Sequence, residues 1–172
     1  MKLRNAIVTL LLATPAFAQT ASNSSAPATP PPPPARGPSL DAALQAARVA
    51  IDTCAAIDQK IAVSVVDSAG VLKVLLAADG ASARGVQSST NKAVTALTFK
   101  TATSELGEKV KADSTLAEQV NANTNFNVRA GGVVLKAGNE IIGAIGVGGA
   151  RGSEKDEQCA LAAIAKVPAL LK

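Results

Sequence analysis

The sequence predicts an α+β domain, and three observations carry that prediction. Short β-branched runs occur in two pairs, each pair joined by a turn that contains glycine. Helical stripes precede, separate and follow those pairs. No strand alternates singly with a helix, as a parallel sheet of the Rossmann kind would require. Hairpins set among amphipathic helices point to one twisted antiparallel sheet, with the first and last helices covering one face.

The elements follow in order. Ser39 is a candidate N-cap, and Leu40, Ala43, Leu44, Ala47, Ile51, Cys54 and Ala55 then form a helical stripe that ends near Ile57. Residues 61–67 and 71–77 form a hairpin across Ser68-Ala69-Gly70, with Asp67 on its tip side. Asp79-Gly80 closes the second strand, and a long helix follows over 82–99. Residues 103–111 and 115–120 predict two short helices around Asp113. Residues 121–129 hold four Asn and read as a loop or a poor strand. Gly138-Asn139 joins strands 133–137 and 140–147. A last helix starts at Ser153 with Asp156 three residues on, a carboxylate variant of the capping box, and Pro168 ends it. Glu154 and Glu157 share that first turn.

The chain has 172 residues, enough for one ordinary domain. Its 17 Lys and Arg against 13 Asp and Glu give a net charge of +4, which falls to +2 without Lys2 and Arg4 near the N-terminus. With no Trp, no Tyr and three Phe, the chain offers no aromatic platform for nucleobases, so a nucleic-acid partner is not expected. The absence of His excludes His-based triads, His-ligated zinc sites and His-ligated haem. No metal site is expected. Acid–base or ligand chemistry is left to Asp, Glu, Lys, Arg, Ser, Thr and two Cys.

Residues 1–18 read as a secretory signal peptide. Lys2 and Arg4 are its charged region, residues 6–12 its apolar run, and Ala16-Phe17-Ala18 its cleavage motif, so the mature chain should begin at Gln19. No other apolar run reaches membrane length, which predicts no membrane insertion. Export of this kind fits a periplasmic or secreted protein. Residues 19–38 hold seven prolines, including 30–34, and read as a polyproline II linker of about 3.1 Å per residue. A docking ligand for a proline-recognising module is the other reading of that segment. The domain proper spans 39–172.

Two cysteines in an exported chain favour a Cys54–Cys159 disulfide. Two separate buried thiols are the alternative; the absence of a C-x-x-C motif argues against a redox-active pair. Residues 143–153 are rich in glycine and run from a strand into a helix N-terminus, where backbone amides favour anions. The segment lacks the ending of a P-loop, and Glu154, Asp156 and Glu157 would repel a phosphate. It reads either as the wall of a small-molecule pocket or as a tight strand-to-helix turn.

The stretch Val63-Ser64-Val65-Val66-Asp67-Ser68-Ala69-Gly70 resembles the hairpin of the GlcG/HbpS-like family. So do Asp79-Gly80-Ala81, Ser88-Ser89-Thr90-Asn91-Lys92-Ala93, Gly131-Gly132, the glycine-rich segment and Lys155-Asp156-Glu157-Gln158-Cys159-Ala160. The resemblance runs from about residue 39 to residue 172. It implies a profilin-like domain with a single five-stranded antiparallel sheet and helices packed against it, assembled as a homo-oligomer. It also implies haem binding or handling. Many relatives carry a His shortly after the Asp-Gly pair, where this chain has Arg84. Haem would then bind weakly, through its propionates on Arg84, Lys92 or Arg151, or haem binding has been lost.

The functional expectation is an exported protein that binds haem or a related anionic small molecule. Arg84, Lys92, Gly148, Gly149 and Arg151 are its candidate ligand-binding residues. Arg84 and Lys92 equally read as charges on a solvated helix face. The alternative is an acid–base enzyme on a small organic acid, with Asp67, Lys92, Glu154 and Asp156 as its players. Asp67 also suits a hairpin turn, and the other two acids suit a helix cap. A third reading is an accessory subunit of a periplasmic oxidoreductase.

Overall fold

A computed structural model describes residues 34–171. The signal-peptide reading of 1–18 and most of the proline-rich segment lie outside the described residues. The element order is α1 (Leu40–Ala55), β1 (Ala62–Asp67), β2 (Leu72–Ala77), α2 (Ala83–Phe99), α3 (Thr103–Ala112), α4 (Ser114–Asn121), β3 (Gly132–Ala137), β4 (Glu140–Gly148) and α5 (Ser153–Lys166), with a final 3-10 turn at Pro168–Leu171. The strands form one antiparallel sheet in the order β2-β1-β4-β3.

Period-two alternation divides the core between the two faces of that sheet. Val63 and Val65 of β1, with Ile145, Val147 and Leu135, pack against α1 and α5. Val66 and Ala144 turn the other way, toward Ala93 and Ala96 of α2. Strand β1 is therefore buried along its whole length. Helix α1 presents Ala42, Ala43, Ala46, Ala47 and Ala50 to the core, a face small enough for close approach. The predicted disulfide is present: Cys54 of α1 and Cys159 of α5 are bonded, with Cα atoms 5.8 Å apart, inside the usual range.

Helix α2 lies unusually close to the sheet because glycines face it. A Cβ on Gly146 would stand 2.1 Å from the Ser89 carbonyl oxygen and 2.6 Å from the Ala93 nitrogen. One on Gly132 would stand 2.3 Å from the Lys92 carbonyl oxygen. This close approach brings the Lys92 side chain within reach of β4.

The expectation of five strands is corrected to four among the described residues. The stretch before β3 does not pair, because its asparagines satisfy the backbone locally. Asn123 Oδ1 accepts from the Asn125 amide and Asn127 Oδ1 from the Arg129 amide, Asx turns that replace a ladder. At the N-terminal side, Arg36 exchanges two 2.8 Å bonds with Ser68 and pairs with Glu140. The folded unit thus reaches back into the segment read as linker. The Asp67 prediction holds as local structure: its Oδ1 accepts the Ala69 and Val71 amides, both at 2.9 Å, and sets the β1–β2 turn.

Candidate functional site

A polar cleft of about 560 Å³ opens between the N-terminal half of α2, the asparagine-rich loop and the turn from β4 into α5. That volume suits a small-molecule site. Ser82 caps α2 by accepting the Gly85 amide at 3.1 Å, which fixes the start of one wall. Asn127 ties the loop to that wall. Its amide donates to Thr95 Oγ1 at 2.9 Å and its Nδ2 to Ser88 Oγ at 3.1 Å. Phe126 packs edge-on against Phe99, with ring centroids 5.1 Å apart. Thr103 Oγ1 anchors the far end of the loop, donating to the Arg129 carbonyl at 2.8 Å and accepting from the Gly132 amide at 2.9 Å.

The floor is an ion pair. Lys92 Nζ donates to Asp156 Oδ2 at 2.7 Å and to the Val147 carbonyl at 2.9 Å. Asp156 Oδ1 accepts the Ala150 amide at 2.9 Å. The two residues are 1% and 3% exposed, so the pair is almost fully desolvated. Gly131, at φ 123°, leaves the space: a Cβ there would meet Lys92 Nζ at 2.9 Å and Asp156 Cβ at 2.8 Å. Burial lowers the Lys92 pKa below its ordinary value, and the hydrogen bond and charge of Asp156 oppose that shift. Burial likewise raises the Asp156 carboxyl, opposed by Lys92 and the Ala150 amide. An ammonium has three protons, and two are engaged here. Lys92 itself borders the cleft from below, almost without exposure.

Arg84 and Arg129 also line the cleft. Both are exposed, and neither has a carboxylate partner among the described residues. Gln87, Ser88 and Asn91 add uncharged polar groups to the α2 wall. The site is therefore cationic at its rim, polar along its sides and ion-paired at its base.

Of the residues singled out in the sequence, Arg84, Lys92, Gly149 and Asp156 meet here. Gly148 does not line the cleft; it is buried under α2, where a Cβ would stand 2.6 Å from the Gly85 carbonyl oxygen. Arg151 is outside the lining, with its backbone amide on Gln59 Oε1 at 2.7 Å. Lys92 is not on a solvated helix face: it falls on the buried stripe of Gly85, Ser89, Ala93 and Ala96. Asp156 lies in the first turn of α5 but forms no capping box: the N-cap is Gly152, and Asp156 Oδ1 accepts the Ala150 amide upstream of it while Oδ2 holds Lys92. Asp67 sits at the opposite end of β1, five residues from the position paired with Gly148 and so roughly 17 Å away along the strand. Glu154 is exposed and outside the lining. The acid–base candidates thus reduce to Lys92 and Asp156. Arg129, Asn127 and Phe126 were missed, and the clustered asparagines were the available signal.

A small α+β domain with a polar, cation-rimmed cleft between helix and loop is the class defined by this geometry. The chain belongs to the HbpS-like family: the model of that family, described as haem degrading protein HbpS-like, matches residues 39–165. The crystal structure of HbpS is 33% identical, with a TM-score of 0.69, covering 75% of this chain and 89% of that one. A double mutant of HbpS from Streptomyces reticuli is 30% identical, with a TM-score of 0.71, covering 84% and 98%. A PduOC:heme complex is 27% identical, with a TM-score of 0.68, covering 74% and 92%. No curated protein sequence gives a significant match.

Proposed function

We propose that this protein binds a carboxylate-bearing small molecule in the α2–loop cleft, and that the haem-type macrocycle of its family is a ligand held there by its propionates. One observation carries the reading. Arg84 and Arg129 stand at the rim without carboxylate partners among the described residues, above the buried Lys92–Asp156 pair. Guanidinium groups take carboxylates in bidentate fashion. Phe126 supplies an apolar surface for a ring.

The donor set does not fit haem held through its iron. The chain has no His and no Tyr, its one Met is Met1, and both Cys are in the disulfide. Those four types are the usual protein ligands of haem iron. Lys92 is committed to Asp156. No step of chemistry at a haem iron is therefore derived for this chain.

Haemin titration, read at the Soret band, tests the proposal. Binding should weaken as salt rises, because exposed ion pairs are screened. Arg84→Gln combined with Arg129→Gln should weaken it by about a hundredfold or more, given roughly 1.5–3 kcal/mol for each hydrogen-bonded charge contact. Salt-independent binding that survives the double substitution would sink the proposal.

A second reading has its own observation. The buried Lys92–Asp156 pair borders the cleft, and burial shifts both groups toward neutrality, as acid–base catalysts require. It predicts turnover of a small organic acid that Lys92→Met abolishes. We also infer that the chain is exported with cleavage before Gln19, which is consistent with the disulfide, and that it assembles as a homo-oligomer. The intact mass of exported protein checks the cleavage, and light scattering checks the assembly.

A further inference from the structure

We infer that the cleft reads the carboxylates of its ligand and not a metal at the ligand's centre, so that metal-free porphyrins bind as well as haemin. This inference rests on the carboxylate-binding reading above and narrows its ligand class.

The chemistry of the lining carries it. Every strong donor into the cleft is a cation or a neutral hydrogen-bonding group: Arg84, Arg129, Lys92, and the amides and hydroxyls beside them. None of the lining residues is His, Tyr, Met or Cys. The disulfide cannot reach in, since Cys54 and Cys159 are 0% and 1% exposed and lie among the helices on the other face of the sheet. Among the described residues, no group of three His, Cys, Asp or Glu side chains comes close enough to hold a metal ion. The carboxylate in the lining, Asp156, has both oxygens engaged, one by Lys92 and one by the Ala150 amide. The Lys92 amine would have to leave Asp156 and lose a proton before its lone pair could bind a metal.

What remains is recognition of negative charge by two guanidinium groups at the rim, with ring contact on Phe126. Those contacts are the same for a porphyrin dicarboxylate whether its centre holds iron, zinc or two protons. Esterification removes the negative charge and leaves only the ring contact and weaker, neutral acceptors.

The experiment uses the mature chain and four probes: haemin, protoporphyrin IX, protoporphyrin IX dimethyl ester and citrate. Absorbance and porphyrin fluorescence read binding of the first three, and competition reads the last. The expected result is that haemin and protoporphyrin IX bind within about threefold of one another. The dimethyl ester should bind about tenfold or more weakly, and Arg84→Gln should weaken both acids alike. Haemin binding more than tenfold tighter than protoporphyrin IX would overturn the inference and leave the carboxylate reading standing. Binding of the ester as tight as that of the acids overturns it as well. If citrate binds with Arg84 dependence but neither porphyrin does, the inference falls and the site is a small-carboxylate site. If no probe binds, both readings fall.

Discussion

Lys92→Met removes the cation from the floor of the cleft and keeps most of the side-chain volume. The wild-type pair is 2.7 Å long and nearly inaccessible to water. In the variant, Asp156 Oδ1 keeps the Ala150 amide, but Oδ2 faces no donor, and the Val147 carbonyl loses the Lys92 proton. Removing one partner of a buried pair costs about 3–5 kcal/mol, because a charge is left buried and uncompensated. For a domain of this size that is a fall in Tm of about 10–20 °C. The pH dependence has a definite sign. Asp156 already has a raised pKa when folded, and loss of Lys92 raises it further. Between its unfolded value of 3.8 and its folded value, the folded chain holds a proton that the unfolded chain has released. Stability therefore falls as pH rises through that window, and the deficit should be large near pH 7 and small below about pH 4. The wild type also has a lowered Lys92 pKa, which makes its stability rise with pH on the alkaline side, up to the ordinary lysine value of 10.5. The variant should lack that rise. Urea denaturation followed by far-ultraviolet circular dichroism is the assay, since the chain has no Trp or Tyr to report by fluorescence. Lys92→Met combined with Asp156→Leu should recover more than half of the loss. A single variant within about 1 kcal/mol of wild type, or a deficit unchanged between pH 4 and pH 7, would refute the account of an uncompensated buried charge.

Gly146→Ala should destabilise the fold by several kcal/mol, roughly 3 or more, because its Cβ would overlap the Ser89 carbonyl at 2.1 Å and α2 would have to lift from the sheet; a Cm equal to wild type would rule out the close approach. Reduction of Cys54–Cys159, which spans 105 residues, should cost about 4–5 kcal/mol in the chain-entropy model and lower Cm accordingly. Thiol titration of the native chain should find no free thiols, whereas two per chain would exclude the bond.

The element order was legible because hydropathy at two different periods leaves few alternatives. Both hairpins, the long helix and the paired short helices fall within a residue or two of their expected bounds. The count of five strands came from the resemblance, while the residues of 121–129 left a loop or a poor strand open, and the asparagine turns show why no strand forms there. The site was only partly legible. Lys92 sits seven residues beyond Gly85 on a buried stripe made of glycine, serine and alanine, so no hydropathy contrast marks that face. Asp156 occupies a position where a capping acid belongs, and its partner is 64 residues away in sequence. The local rule placed it correctly in the first turn of α5 and missed its partner across the fold.

The glycine-rich segment joins these two errors into one physical statement. Read locally, its missing side chains suggested room for a ligand. In the fold, Gly146 and Gly148 face α2 and make room for a helix. That approach carries Lys92 over the sheet to the Val147 carbonyl and to Asp156, and the resulting pair closes the base of the cleft. Gly149, one residue further on, does border the open space. The same run of glycines thus serves packing at one end and the site at the other. A side chain added at Gly146 or Gly148 should therefore disturb both, while Arg84→Gln should alter ligand binding and leave stability near its wild-type value, since the Arg84 side chain is exposed and forms no ion pair among the described residues.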